Sequence, residues 1–252
     1  MNTISGWIKF KEVFQGFDAN YVLIGGVACT VLLNELGIDF RPTKDFDIVI
    51  IIEEIEHTFF NRFWKFIDDG KYSCFKNSDQ SQQFYRFDQP KEAGYPKIIE
   101  LFCRKTMNLS SERLKHITPM HINNSIMSLS AIVLDDEYYF LIKDRRSIID
   151  GISVLNLELI IVLKMKAWLD LKKNKLNGVN IHADEINKHR RDVFRLLGNL
   201  DPKIKLASLS ETIKNDIKNF MFDANNCKPF LNEYGIKTSI NEFNNLVQKV
   251  YL

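Results

Sequence analysis

The stretch RPTKDFDIVIII, residues 41–52, decides how this chain of 252 residues is interpreted. Its second half is a run of Ile and Val, and β-branched residues of this kind favour a buried β-strand. Side chains at i and i+2 of a strand share one face, so Asp45 and Asp47 are predicted to project together. Two like charges held side by side repel, and a bound cation is the usual remedy. The alternative is that Arg41 and Lys44 neutralise the two acids locally.

A glycine pair lies upstream of this stretch. The sequence YVLIGG, residues 21–26, predicts a short apolar strand that ends in Gly25 and Gly26, followed by a helix over residues 26–36. Backbone N–H groups at such a helix start can face an anion, and glycine lets a ligand approach the main chain. The pattern is neither the dinucleotide fingerprint Gly-x-Gly-x-x-Gly nor a P-loop, since no Gly-Lys-Ser/Thr follows. A tight turn without a ligand remains the alternative.

A third acid follows in the segment KIIELFC, residues 97–103, which predicts a strand with Glu100 at its centre. Alternation places this carboxylate between two large apolar residues, where it is costly without a partner. If the strand lies beside the one at 46–52, Glu100 completes a group of three with Asp45 and Asp47. Three carboxylates suit a hard cation, Mg²⁺ above all, which also takes oxygens from water and substrate phosphates. The alternative for Glu100 is a salt bridge to a nearby Lys or Arg.

The composition is that of an ordinary globular protein, with 45% hydrophobic and 26% charged residues. A net charge of +2 gives no argument for nucleic-acid binding. Residues 164–191, called the basic segment below, differ from the whole, because eight Lys or Arg minus three acids leaves a local surplus of five. Such a segment can attract phosphates or another polyanion, and a solvated helix face is the alternative.

The cysteines and the N-terminus bear on the compartment. Cys29, Cys74, Cys103 and Cys227 form no Cys-x-x-Cys pair, so neither a zinc site nor a disulfide framework is predicted, as fits a reducing cytosol. The first residues lack the pattern of a signal peptide, and no apolar run is long enough to span a bilayer. We therefore expect a cytoplasmic protein without a membrane partner.

The pattern along the chain predicts an α+β protein. We expect an N-terminal lobe with a mixed sheet and flanking helices over residues 1–152, followed by a mainly helical lobe over residues 153–252. The further elements predicted are a helix at 54–68, strands at 71–76 and 82–88, a hairpin of 126–134 with 137–142, and helices at 157–168, 182–198, 203–221 and 239–250.

The helical part contains four charged residues of interest. Lys164 ends an apolar stretch, and Asp184, Lys188 and Asp192 follow at i, i+4 and i+8, so these three share one helix face. A functional role and a surface i,i+4 ion pair are both compatible with this spacing.

Three features together resemble the polymerase-β-type nucleotidyltransferase superfamily. They are a strand and a helix joined by Gly25-Gly26, the motif Arg41-x-Thr43-x-Asp45-x-Asp47, and the strand acid Glu100. The later segments LKMKAW (163–168) and Lys188-His189-x-x-Asp192 are similar to its AbiEii-like branch, which includes toxins of bacterial toxin–antitoxin and phage-defence systems. The resemblance is strongest over residues 20–105 and looser in the helical part.

The resemblance implies transfer of a nucleoside monophosphate from a nucleoside triphosphate (NTP) to an acceptor hydroxyl. Asp45 and Asp47 would bind two Mg²⁺ ions, with Mn²⁺ as the alternative metal. Glu100 would be the third carboxylate, which polarises the attacking hydroxyl. The residues that would bind the nucleotide are Gly25, Gly26, Thr43, Lys164, Lys188 and Asp192. Many relatives place Ser or Thr after the second glycine, whereas this chain has Val27, so a hydroxyl contact to phosphate would be missing.

The resemblance also implies partners. The acceptor would be a nucleic acid such as tRNA, bound at the basic segment, or a protein, and a toxin would have an antitoxin protein as partner. Two alternatives remain open. One is a non-catalytic nucleotide- or RNA-binding module of the same fold, and the other is modification of a small molecule such as an antibiotic, for which an acidic acceptor pocket is expected.

Overall fold

The computed structural model describes residues 4–54, 57–77, 84–102, 118–120, 132, 135–206, 208–226 and 238–252. The chain divides into two compact units. One takes the described residues of Met1–Ile122 together with Tyr139–Asn156, and the other takes those of Asn123–Tyr138 together with Leu157–Leu252. The domain boundary after residue 152 stays a prediction.

The first unit contains a mixed β-sheet. Its strands in the described residues are β1 Tyr21–Ile24, β2 Asp45–Ile50, β3 Ser73–Asn77, β4 Phe84–Asp88, β5 Ile98–Phe102, β6 Thr118–Met120, β7 Arg146–Ile149 and β8 Ile152–Leu155. The strand order is β6-β3-β4-β5-β2-β1-β8-β7. Strand β2 runs parallel to β5 and antiparallel to β1, while β4 is antiparallel to β5. The predicted α+β class with a mixed sheet is therefore confirmed.

Among the described residues, four α-helices precede or interrupt the sheet strands: α1 Trp7–Phe14, α2 Gly25–Glu35, α3 His57–Gly70 and α4 Asp136–Asp144. Aromatic side chains of α1 and α3 form the core on one face of the sheet. The ring of Phe10 lies 5.1 Å from that of Phe46 on β2, and the ring of Phe14 lies 5.1 Å from that of Phe66. Successive side chains of a strand alternate between its faces, so Phe46 points to the face opposite to Asp45 and Asp47. The aromatic core and the acids therefore lie on opposite faces of the sheet.

The second unit is helical over the part that the structure describes, with α5 Leu157–Leu176, α6 Ala183–Leu197, α7 Glu211–Asn225 and α8 Ile240–Tyr251. Helix α5 packs against α6 and α7, and α8 contacts both of these. Trp168 and Phe220 join α5 to α7 with ring centroids 5.2 Å apart. None of the helices in the described ranges is long and apolar enough to cross a lipid bilayer.

The predicted hairpin around Asp135 and Asp136 is wrong for its second half. Residues 136–144 form helix α4, because the Asp135 carboxylate accepts hydrogen bonds from the N–H groups of Glu137 (2.9 Å) and Tyr138 (3.3 Å) and so caps a helix instead of closing a turn. Of the first half, 126–134, only Ile132 is among the described residues.

The helix predicted at 203–221 begins later and ends later than expected. It covers Glu211–Asn225, and the hydroxyl of Ser210 caps it by accepting a hydrogen bond from the N–H of Ile213 at 3.3 Å. The apolar periodicity extends upstream of this cap, but the cap residue fixes where the helix starts.

The aromatic core gives a stability prediction. Replacing Phe14 by Ala removes a buried ring that contacts Tyr21, Phe59, Phe63 and Phe66, so the free energy of unfolding should fall by about 3–5 kcal/mol. Urea denaturation measures this difference. Ile8→Ala on the same helix is the matched control, because Ile8 is 71% exposed and its truncation should change stability by no more than about 0.5 kcal/mol. Equal losses in the two variants would contradict the packing described above.

Candidate functional site

The pairing of β2 with β5 brings acids of two strands onto one face of the sheet. Asp47 lies directly opposite Glu100, and Asp45 lies opposite Ile98. Paired residues of neighbouring strands point to the same side, and so do residues two apart along one strand. Asp45, Asp47 and Glu100 therefore share the face opposite to Phe46, at the end of the sheet where β2 and β5 begin.

Glu100 is the most buried of the three acids, with 5% of its surface exposed, whereas Asp45 and Asp47 are half-buried. Its carboxyl is hydrogen-bonded to that of Asp47. Burial first, and then the charge of Asp47, raise the pKa of Glu100 to about 9, and Asp45 acts in the same direction. Two carboxyl groups hydrogen-bond to each other when one carries a proton, and the raised pKa of Glu100 favours its protonated form at neutral pH.

Arg86 is a member of this site that the sequence analysis missed. It lies on β4 directly opposite Glu100, and its Nη1 donates a hydrogen bond to Glu100 Oε1 at 2.6 Å. The ion pair favours ionised Glu100, yet burial and the two aspartates outweigh it, so the pKa of Glu100 is still raised. Because β5 lies between β4 and β2, Arg86 approaches Glu100 from the side away from Asp47 and does not separate the acids.

A signal for Arg86 exists in the sequence. In the segment FYRFD, residues 84–88, a single arginine stands among aromatic residues on a predicted strand, as Glu100 does on its own. Two such charges of opposite sign, on strands that are consecutive in the chain, are candidates for a cross-strand pair. The alternative weighed for Glu100, a salt bridge to a nearby Arg, is thus present together with its contact to Asp47.

The main chain at the start of α2 touches the acid group. Gly25 has φ +67°, and a Cβ atom added there would lie 1.8 Å from Oδ2 of Asp47. At Gly26 an added Cβ would lie 2.5 Å from Oγ1 of Thr43. Only glycine allows the Asp47 carboxylate and the Thr43 hydroxyl to come this close to the backbone. The glycine pair and the acid pair, predicted separately, are therefore in contact.

The first turn of α2 has N–H groups without an intrahelical acceptor. Ile24 precedes the helix in extended conformation, and among the described residues no side chain caps it through a hydrogen bond. The positive end of the helix dipole therefore faces the region of Asp47 and Thr43, where it favours negative charge. The next residue, Val27, is fully buried, so the side chain at this position faces the core rather than a ligand.

The three acids have the chemistry of ligands for a divalent cation. Asp45, Asp47 and Glu100 offer carboxylate oxygens only, which are the ligands that Mg²⁺ and Mn²⁺ prefer. In the described ranges no three His, Cys, Asp or Glu side chains are arranged as a formed metal site. At this face Glu100 accepts a hydrogen bond from Arg86. The three acids fit a hard cation by their chemistry, and their role as its ligands stays a prediction.

The charged residues predicted in the helical part are arranged differently from expectation. Lys164 Nζ lies 2.7 Å from Asp192 Oδ2, and both side chains are buried, with 9% and 2% of their surfaces exposed. The alternative of a surface i,i+4 ion pair is wrong for Asp192, because this residue is buried and pairs across helices inside the second unit. Between Asp184 and Lys188 it stays open. Lys188 is exposed. The nucleotide-binding roles of these three residues stay a prediction.

The basic segment is partly neutralised by acids that a count along the sequence does not include. Lys166 is paired with Asp170 at 2.7 Å and approaches Asp216 at 3.8 Å. Lys172 forms an ion pair with Asp223. Asp216 and Asp223 belong to α7, outside the basic segment, so the local surplus of positive charge is smaller than the sequence alone indicates.

Comparison with known proteins gives no relative: no protein-family model, no curated protein and no solved structure matches this chain. The similarity to the nucleotidyltransferases therefore stays a prediction, based on the motif residues and on the geometry described above.

The contact between Gly25 and Asp47 gives a prediction with a matched control. Gly25→Ala and Gly37→Ala both place a side chain on a residue with positive φ, +67° and +71°, which costs about 1–2 kcal/mol. Around Gly37 no described atom lies within 4 Å of the added Cβ, whereas at Gly25 the new methyl collides with Asp47. Gly25→Ala should therefore lower the free energy of unfolding by roughly 1–3 kcal/mol more than Gly37→Ala does. Urea denaturation compares the two, and equal losses would mean that Asp47 is not held against the backbone.

The raised pKa of Glu100 gives a pH dependence. In the unfolded chain this carboxyl has a pKa near 4.5, and in the folded chain near 9. Between these two pH values the folded state binds more protons than the unfolded state. The stability that Glu100 contributes is therefore fully present below pH 4.5 and is lost as the pH rises towards 9. Glu100→Gln should flatten this decline by on the order of 1 kcal/mol or more between pH 5 and pH 9. Denaturation curves without divalent cations test this, and parallel pH profiles would disprove it.

Proposed function

We propose that this chain is a metal-dependent nucleotidyltransferase of the polymerase-β type, which transfers a nucleoside monophosphate from an NTP to an acceptor hydroxyl. One observation carries the proposal: Asp47 lies opposite Glu100 in the β2–β5 register, and the backbone of Gly25 closely approaches the carboxylate of Asp47. A group of three acids beside an uncapped helix start combines ligands for a hard cation with donors for a phosphate.

The chemistry assigned to these residues is a substitution at phosphorus. The acceptor oxygen bonds to the α-phosphorus, the bond from that phosphorus to the bridging oxygen breaks, and pyrophosphate leaves with the bonding electrons. In its ionised form, Glu100 would accept the hydrogen bond of the attacking hydroxyl and then take up the proton that this hydroxyl loses. The N–H groups of Gly25 and Gly26 and the hydroxyl of Thr43 hold the phosphates. Two Mg²⁺ ions on Asp45, Asp47 and Glu100 would supply charge neutralisation at the attacking and leaving oxygens.

The acceptor and the setting follow from the same proposal. A nucleic acid such as tRNA, or a protein, is the acceptor proposed from the resemblance, and the basic segment supports a nucleic acid, although its ion pairs reduce that support. The proposed setting is the cytoplasm, where the protein acts as a toxin of the AbiEii-like kind with an antitoxin protein as its partner.

A second candidate function has an observation in its favour. Arg86 already neutralises Glu100, and a carboxylate engaged by an arginine is less available to a cation or to an attacking hydroxyl. A non-catalytic module that binds nucleotide or RNA is therefore the competing candidate. Incubation with radiolabelled NTPs, Mg²⁺ and total cellular RNA separates the two candidates: a labelled acceptor means an enzyme, and retention of label without transfer means a binding module.

The catalytic assignment predicts the behaviour of an acid-pair variant. Asp45→Asn combined with Asp47→Asn keeps the size of both side chains but removes both charges, so transfer of label from α-³²P NTPs should fall by about 100-fold or more. Circular dichroism and thermal unfolding should remain close to those of the wild type, because both residues are half-buried and lie outside the aromatic core.

The control is Asp69→Asn, which removes a carboxylate paired with Lys65 on the surface of α3 and should leave transfer unchanged. Undiminished transfer by the double variant would reject the assignment of these acids.

A further inference from the structure

Strand β7, Arg146–Ile149, is an edge of the sheet, and among the strands that the structure describes it pairs with β8 alone. Directly before β7, the carbonyl of Arg145 accepts a hydrogen bond from the N–H of Asn156 at 3.1 Å. Along an antiparallel pair, rows that are hydrogen-bonded alternate with rows that are not. The second and fourth residues of β7 therefore bond to β8. The first and third, Arg146 and Ile148, direct their main-chain N–H and C=O groups away from the sheet.

These outward main-chain groups are open to a further strand. Those of Arg146 and Ile148 make no hydrogen bond with any residue that the structure describes. The other edge strand, β6, contains Pro119, and proline is one of the devices by which edge strands avoid further pairing. Strand β7 has no proline, and its register with β8 runs without a bulge over its whole length. Its edge is therefore regular and ready for pairing.

The polar side chains of β7 are engaged within their own chain. Nη1 of Arg146 donates a hydrogen bond to the carbonyl of Ala19, just before β1, at 3.2 Å, which draws the guanidinium back across β8. The hydroxyl of Ser147 donates to Oδ1 of Asn156 at 2.6 Å. The side chain left at the open edge is that of Ile148, with 51% of its surface exposed. A β-branched residue in this position favours strand pairing.

A second copy of β7 presents the matching main-chain groups. Two residues opposite each other in an antiparallel pair form two hydrogen bonds when both direct their N–H and C=O groups into the gap. If the Ser147 residues of two copies face each other across a two-fold axis, Arg146 of one copy lies opposite Ile148 of the other. The axis repeats this pair, so the register uses every open N–H and C=O group of both strands.

The side chains fit the same register. Residues opposite each other project to the same face, so Ile148 of one copy lies beside Arg146 of the other. The aliphatic part of an arginine covers apolar surface while its guanidinium keeps its own partner, here the carbonyl of Ala19. A segment of an unrelated protein would have to match this pattern by chance, whereas a second copy has it by symmetry. A two-fold contact also closes after two chains and forms no fibre.

We propose that this chain forms a homodimer in which β7 of two copies pairs in antiparallel orientation about a two-fold axis at Ser147. The two sheets then become continuous across the axis. Strands β8 and β1 lie between β7 and the strands that hold the acids, β2 and β5, so the candidate site takes no part in this contact. The proposal is independent of the proposed nucleotidyl transfer.

The test is the oligomeric state of the full chain, measured by sedimentation velocity over about a hundredfold range of concentration without nucleotide or metal. The variants are Ile148→Lys and Ile148→Glu, which remove the same apolar side chain and add charges of opposite sign. Ile8→Lys is the matched control, because Ile8 is 71% exposed on α1 and does not belong to the edge strand. Circular dichroism and thermal unfolding verify that each variant folds.

The wild type should shift with rising concentration from 29.5 kDa to a dimer of twice that mass, and Ile8→Lys should match it. Ile148→Lys places an ammonium group beside Arg146 of the second copy and should raise the Kd of the dimer about tenfold or more. Ile148→Glu places a carboxylate there instead, so its Kd should be about tenfold lower than that of Ile148→Lys.

Three results would overturn the proposal. One is a wild type that stays monomeric at every concentration. Another is a Kd that is equal in Ile148→Lys and the wild type, since the dimer would then use another surface. The third is equal weakening by Ile148→Lys and Ile148→Glu, since Arg146 of the second copy would then not lie beside position 148.

A cross-link tests the register directly. In the proposed dimer the two Ser147 residues form a non-hydrogen-bonded pair with Cα atoms about 4.5 Å apart, which is close enough for a disulfide. Ser147→Cys should therefore give a covalent dimer on incubation with oxidised glutathione, with the bond located at position 147 of both copies by mass spectrometry. Ser5→Cys, at another exposed serine of the first unit, is the control and should remain largely uncross-linked. Equal cross-linking of the two variants would overturn the register.

Discussion

The parallel pairing of β2 with β5 holds like charges together, and the rest of the site depends on this constraint. In this register Asp47 lies beside Glu100, so the buried carboxyl of Glu100 meets the half-buried carboxyl of Asp47. Such a pair is tolerated only if a proton, a cation or an arginine compensates the charge. In this protein Arg86 contacts Glu100 from the side away from Asp47, and the raised pKa of Glu100 favours its protonated form, so both reduce the repulsion between the acids.

The two faces of the sheet perform different tasks. Phe46 points into an aromatic core built with α1 and α3, and this core supplies the burial that holds β2 in place. The alternate residues Asp45 and Asp47 point to the other face, where the start of α2 approaches so closely that only glycine fits at position 25. A rigid apolar face therefore fixes the positions of polar groups on the opposite face, which is the arrangement that a preorganised site needs.

The helical unit illustrates how charges that look exposed in a sequence become structural. Lys164 and Asp192 are 28 residues apart in the chain, yet they form a buried ion pair between α5 and α6. Lys166 and Lys172 are close to carboxylates of α7. Removing one partner of the buried Lys164–Asp192 pair would destabilise the fold strongly, so Lys164 has a role in the fold whatever else it binds.

The sequence by itself determined the strands that matter, the glycine turn, the acids at 45, 47 and 100 and the division into a sheet-rich and a helical part. These features depend on local properties, namely β-branched runs, alternation and glycine at a turn, and each is encoded within a few residues. The sequence pattern predicted a hairpin strand where Asp135 in fact caps a helix. An aspartate that caps a helix and one that begins a turn cannot be distinguished by sequence alone.

Tertiary structure alone decided which strands are neighbours and in what register, and hence that Asp47 meets Glu100 and that Arg86 joins them. The paired residues of β2 and β5 are 53 residues apart in the chain, so their pairing is set by the packing of the whole sheet, and a shift by one residue would move these side chains to the other face.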